Sequence, residues 1–133
     1  MAELEEAVYA ILTEDAAVGA LVGTRVYPQA IPQDVGLPAT AYARISTKRV
    51  KRHGGSSGLK RARVQVNSTA REYDEAKAVA AAVCGALDGV QRTVAGIWVQ
   101  GSWAEGEGDE YAEGDGLHGV RQDFMIWYVE ATG

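Results

Sequence analysis

Between Leu59 and Leu87 the apolar positions change their spacing from two to three and four, and the rest of the chain can be arranged around that change. Ala62, Val64 and Val66 alternate with Arg63, Gln65 and Asn67, the period of a strand with one face on a core and one toward water. Thr69 and Glu72 have the spacing of a capping box, which predicts a helix start at that point. Tyr73, Ala76, Ala80, Val83 and Leu87 then fall on one helical stripe, with Val83 and Leu87 assigned to the core. Asp88-Gly89 ends the helix, because glycine enters the left-handed cap conformation without a side-chain clash.

Upstream, Leu4, Val8, Ile11 and Leu12 keep helical spacing, with Glu3, Glu5 and Glu6 at the positive end of the helix dipole. Thr13 or Asp15 caps a second short helix over Ala16–Val22, closed by Gly23. Thr24–Tyr27 reads as a short extended segment, and Pro28, Pro32, Gly36 and Pro38 as an irregular surface passage. Thr40–Val50 is a strand with Ala41, Ala43 and Ile45 on one face and Tyr42, Arg44 and Ser46 on the other. His53–Gly58 is then the flexible connector of a hairpin with a basic tip. Thr93–Trp103 reads as one strand with an irregularity at Gly96, and Glu105–Gly116 as a mobile acidic loop. Val120–Glu130 is a last strand, and its run of Phe124 to Val129 suggests cover on both faces. The elements together predict an α+β fold: one domain over residues 1–133, an antiparallel sheet of about four to five strands, helices on one face.

Composition changes that picture little. A chain of 133 residues that is 47% hydrophobic can build a core without metal or disulfide support. Cys84, the single cysteine, has no partner for an internal disulfide and fits a reducing compartment. No apolar run approaches the roughly 20 residues of a membrane span, and the acidic start Met1–Glu6 is unlike a secretory signal. A cytosolic product is expected.

Charge changes it more. The net charge of -5 conceals a basic block and an acidic one. Arg44, Lys48, Arg49, Lys51, Arg52, Lys60, Arg61, Arg63 and Arg71 follow one another with no carboxylate between them. Glu105, Glu107, Asp109, Glu110, Glu113 and Asp115 do the same with no cation. Blocks of this kind are solvated loops or interaction surfaces. The basic block makes a small nucleic-acid-binding module the alternative function, although it lacks the interleaved aromatics of single-strand binders. The long helix adds a second candidate surface: away from its core stripe it carries Ala78, Ala81, Ala82 and Gly85, where a solvated helix shows charge. Either the N-terminal helix or a neighbouring subunit covers that face.

Candidate chemistry is thin. Gly114-Asp115-Gly116-Leu117-His118-Gly119 matches G-x-G-x-x-G, but it leaves an acidic loop and enters a strand, whereas a dinucleotide fingerprint opens a helix. The loop acids lack the ligand order of an EF-hand. His53 and His118 sit in polar glycine-rich settings, and Cys84 lies in an apolar helix that opposes thiolate formation. No cofactor, metal site or catalytic residue is assigned, and the chain is not expected to be an enzyme.

Gly23-Thr24-Arg25-Val26-Tyr27-Pro28 with Ile31-Pro32, and Leu37-Pro38 leading to Tyr42, resemble the G-x-R-[VI]-[YF]-P…P passage and the next block of the phage tail-completion, or tail-terminator, family. Arg63–Val66, Tyr73–Ala76 and the alanine-rich helix to Leu87 resemble its strand–helix core, and Asp123–Tyr128 its closing aromatic strand. The match runs from about Leu4 to Glu130. It implies a structural protein that assembles as a ring, a hexamer by family habit, at the head-proximal end of the tail tube. The ring ends tube growth and joins the tube to the head connector. Its implied partners are itself, the tail tube protein and the connector, with DNA only as cargo through the channel and no membrane. It would occupy the host cytoplasm during assembly and then the virion tail. The charged blocks and the small-residue helix face are the candidate interfaces.

Overall fold

The computed structural model describes residues 3–52 and 55–129, with the side chains of 51–57 outside that description. His53, Gly54 and Glu130, all used in the sequence reading, lie outside the described residues. Helices α1 (Leu4–Glu14) and α2 (Ala16–Val22) are followed by strands β1 (Val26–Pro28), β2 (Ala39–Arg52) and β3 (Gly55–Ala70). Then come α3 (Tyr73–Leu87), β4 (Arg92–Val94), β5 (Ile97–Ala112) and β6 (Leu117–Val129).

The antiparallel sheet of four to five strands with helices laid on one face is not what these residues build. The sheet has six strands in the order β1-β2-β3-β6-β5-β4, and it is mixed, because β1 runs parallel to β2. It also curls. Helix α1 touches β1 and β2 at one edge and β4 at the other, so the sheet wraps as a half-barrel around the helices. Register shifts in β2–β3 at Arg44/Ser46 and Arg49/Lys51, and in β5–β6 at Val99/Gly101 and Ala104/Gly106, supply the bends. The two edge strands are three residues each and overlap the segments read as extended over Thr24–Tyr27 and Thr93–Trp103, but so short a pattern does not announce how they pair.

Inside the half-barrel, Leu4, Val8, Ile11 and Leu12 of α1 and Val79, Val83 and Leu87 of α3 meet Val64, Val66, Phe124, Ile126 and Tyr128 of the sheet. Val83 and Leu87 are fully buried, as the helical stripe requires. Asp15 caps α2 by accepting from the Val18 amide at 3.0 Å, and Gly23 closes that helix at φ 60°.

Three local expectations are corrected. Thr69 does not cap α3: it pairs with Ala39 and Gly119 in the sheet, so β3 runs on to Ala70 and the helix starts after Glu72 with no side-chain cap. The strand expected over Thr93–Trp103 is a hairpin of β4 and β5, turning at Ala95-Gly96 where both residues have positive φ. The acidic stretch is no mobile loop. Most of it is the second half of β5, laddered to β6 from Gly106↔Asp123 to Ala112↔Leu117, with a turn over residues 113–116. Side-chain period could not reveal that strand, because the outward positions include Gly106 and Gly108. Gly108 leaves room for its cross-strand neighbour: a Cβ there would lie 3.3 Å from the Arg121 guanidinium.

Candidate interface

The hairpin end and the β5–β6 turn lie at opposite ends of the sheet. Lys60 pairs with Tyr128 and Ala70 with His118, so β3 carries the basic hairpin at one end and reaches the acidic turn at the other. The two charge blocks therefore lie mostly toward opposite ends of the sheet, with Arg71 at the acidic end and Glu105 midway along β5 as exceptions.

The basic residues divide by the direction they take from the sheet. Arg44 turns inward and is structural: its guanidinium donates to both oxygens of Glu5 on α1 and, at 3.0 Å, to the Tyr128 hydroxyl. Tyr42, beside it, is buried and its phenol is pushed up by burial and by the nearby Tyr9 and Glu5. Lys48, Arg61 and Arg63 point to the outer face, where with Ser46 and Met125 they line a cleft of about 120 Å³. Arg49 is exposed, and the side chains of Lys51 and Arg52 fall outside the described residues. Lys60 is half-buried, one position from Arg61 on the opposite face. Arg71 sits at the far end, in an open groove of about 550 Å³ with Asp115, Leu117 and the Ile31–Leu37 passage.

Three of the six acidic side chains are paired within the molecule, although all six are exposed. Lys77 of α3 donates to Glu107 at 3.3 Å and to Asp109 at 3.1 Å, and the Tyr73 hydroxyl donates to Asp109 at 2.9 Å. The Lys77 bond, then that of Tyr73, holds the Asp109 carboxyl below its usual range; the same contacts push Lys77 and Tyr73 up. Glu110 pairs with Arg121 at 2.7 Å. Glu105, Glu113 and Asp115 are exposed and form no ion pair with a described residue.

On α3, Ala78, Ala81 and Gly85 are exposed, whereas Ala82 is partly covered and packs against the core. Cover by the N-terminal helices thus accounts for only part of that small-residue face. Cys84 is half-buried, and burial raises its thiol pKa, against nucleophilic use. The glycine-rich G-x-G-x-x-G segment is the β5–β6 turn and the start of β6, with no helix for a phosphate to meet. His118 packs against Tyr111 and Tyr73 at 4.8 and 5.8 Å between ring centroids. No group of three or more metal-ligating side chains occurs among the described residues, and no helix among them is long and apolar enough to cross a membrane.

One feature of the surface escapes a reading by charge alone. The chain's three tryptophans, Trp98, Trp103 and Trp127, all stand on the outer face of the sheet. Trp98 and Trp103 are 42% and 47% exposed, and Trp127 packs on Trp103 with ring centroids 4.0 Å apart. The Arg61 guanidinium lies over the Trp127 ring, 5.9 Å from its centroid. The signal that could have found this platform was β6 itself. Met125, Trp127 and Val129 alternate with the buried Phe124, Ile126 and Tyr128, and no second layer among the described residues covers them.

The fold has a counterpart among known proteins. One solved structure, described as the virion of a native gene transfer agent particle, holds a chain of the same fold. The TM-score is 0.79 at 24% identity, over 94% of this chain and 93% of that one. No curated protein sequence matches. The family model described as "Tail completion protein gp17" matches residues 6–129, nearly the whole chain. The chain therefore belongs to the tail completion protein gp17 family and is a structural protein of the phage tail virion.

Proposed function

We propose that the chain acts as one domain that closes into a ring, six copies by the family's habit, at the head-proximal end of a tail tube. There it stops tube growth and joins the tube to the head connector, while DNA passes through the channel as cargo. The observation that carries this reading, beyond family membership, is the spatial polarity: a mostly basic end and a mostly acidic end on one sheet. A surface with opposite charge at its two ends favours head-to-tail contact, and head-to-tail contacts that close give cyclic assemblies. Lys48, Arg49 and Arg61 at one end, and Glu105, Glu113 and Asp115 on β5 and its turn, are the exposed or half-exposed charges available for it. The exposed Ala78, Ala81 and Gly85 of α3 offer a flat helix face for a further contact with tube or connector. Catalysis has no support in the titratable groups of the described residues, whose perturbed members serve ion pairs and packing.

Negative-stain microscopy of the chain mixed with its cognate tail tubes tests this. The expected image is a ring of protein at one end of each tube, with tube length no longer increasing in the presence of free tube protein. Tubes that keep elongating with no density at either end would overturn the reading.

A further inference from the structure

Three cationic side chains, Lys48, Arg61 and Arg63, line the outer-face cleft, and none of them is in an ion pair with a described residue. Asp123, further along the same face, accepts instead from Gln65 at 3.3 Å. The cleft's volume of about 120 Å³ is below the roughly 300 Å³ at which small-ligand pockets begin. It suits one carboxylate-bearing side chain rather than a free metabolite. Beside it runs the ladder Arg61–Trp127–Trp103, and the neighbouring strand position adds Trp98. A cluster of tryptophan, methionine and arginine beside an anion-sized cleft has the composition of an interface hot spot.

Base stacking fits this platform poorly. The Trp127 ring is already engaged by Trp103, 4.0 Å away between centroids, and by Arg61, 5.9 Å from its centroid, so it leaves little room for a base, while Trp98 and Trp103 stay exposed. The chain itself supplies a matching acidic surface. Glu113 and Asp115 are exposed on the β5–β6 turn at the opposite end of the sheet, too far along the strands to reach the cleft of their own copy.

We infer that the cleft of Lys48, Arg61 and Arg63, with its tryptophan platform, docks the acidic β5–β6 turn of a second copy of this chain. This rests on the head-to-tail ring reading and names the contact that would build it. A carboxylate of the incoming turn enters the cleft between the cations, and the turn's backbone lies over Trp103 and Trp98. The cations set register and encounter rate, and the tryptophans supply the desolvated contact.

The test is a charge swap. One variant carries K48E, R61E and R63E, and the other E113K and D115K. All five sites are on the surface, and circular dichroism with thermal melting checks that both variants fold. Self-assembly is followed by sedimentation across a concentration series up to millimolar, at low and high salt. Each variant alone is expected to assemble at least about tenfold more weakly than the parent, with a larger loss at low salt. Their equimolar mixture, in which reversed cleft meets reversed turn, is expected to recover most of the parent's assembly. A separate variant, Trp103→Ser, is expected to lose assembly while keeping both charge sets. Rescued assembly that stops at two copies upholds the contact and counts against the ring. An assembly indifferent to both reversals overturns the contact while leaving tail completion standing. A parent chain monomeric at every concentration also overturns it. So does a chain that stays monomeric and binds a single-stranded oligonucleotide through Trp103, which assigns the platform to nucleic acid.

Discussion

Strand β6 presents two faces of similar hydrophobicity that meet different fates. Phe124, Ile126 and Tyr128 are buried beneath the helices, while Met125, Trp127 and Val129, one position over, remain half-exposed on the outer face. Burial inside the half-barrel contributes to folding; the same kind of surface left outside contributes little to it and is the kind of patch an interaction surface presents. The comparison teaches that hydrophobicity on a central strand has two readings, and that packing by the chain's own helices decides between them.

The comparison predicts graded effects of substitution. Val83→Asp puts an unpaired carboxylate into the fully buried helix–sheet contact. It is expected to cost several kcal/mol, enough to unfold a domain of about 5–15 kcal/mol total stability; a melting temperature within a few degrees of the parent's would refute the packing described. Phe124→Ala, on the inner face, is expected to cost about 3–5 kcal/mol by chemical denaturation. Its outer-face counterpart Trp127→Ala should cost about 1 kcal/mol through the lost ring pair with Trp103, and should instead impair assembly. Equal losses of stability would erase the distinction between the faces. Ala81→Glu, on the exposed part of α3, should change stability by no more than about 0.5 kcal/mol. Capping of preformed tubes by that variant then reads whether this helix face makes a contact of its own.

The smallest expected effect concerns the tether between α3 and β5. Asp109 is held below its usual 3.8 by Lys77 and Tyr73, so its contribution is present above that pH and lost as pH falls through the lowered value. Lys77 is raised above 10.5, so its contribution is present below that pH and lost as pH rises through the raised value. The melting-temperature difference between the parent and Lys77→Met should therefore be small and flat across neutral pH, closing at both extremes. A difference that grew toward acid pH would contradict the sign.

The sequence carried the helices well, because their stripes and the Asp15 and Gly23 caps are local features. It carried the hairpin of β2 and β3 for the same reason, through alternation at Ala62, Val64 and Val66. It did not carry the sheet's closure. Val26–Pro28 and Arg92–Val94 are too short for a period, and the second half of β5 hides behind glycines and carboxylates that mimic a loop. Thr69 shows a local signal losing to pairing, since its place in the ladder outweighs its fit to a cap. The candidate interface was legible as two blocks of charge. Which members pair within the molecule, such as Arg44 and Glu107, depends on the helices they meet and is not written in the blocks themselves. The tryptophan platform required knowing that Trp98, Trp103 and Trp127 share a face across two strands with intervening bulges.

Because the chain's three tryptophans all lie on that outer face, its intrinsic fluorescence reads the state of the face directly. The decisive measurement is tryptophan emission and acrylamide quenching as the chain assembles, by concentration or by addition of tail tubes. Assembly through the outer face predicts a blue shift and a loss of quenching that track the assembled fraction. Emission and quenching that stay at their monomer values while assembly goes to completion would contradict it.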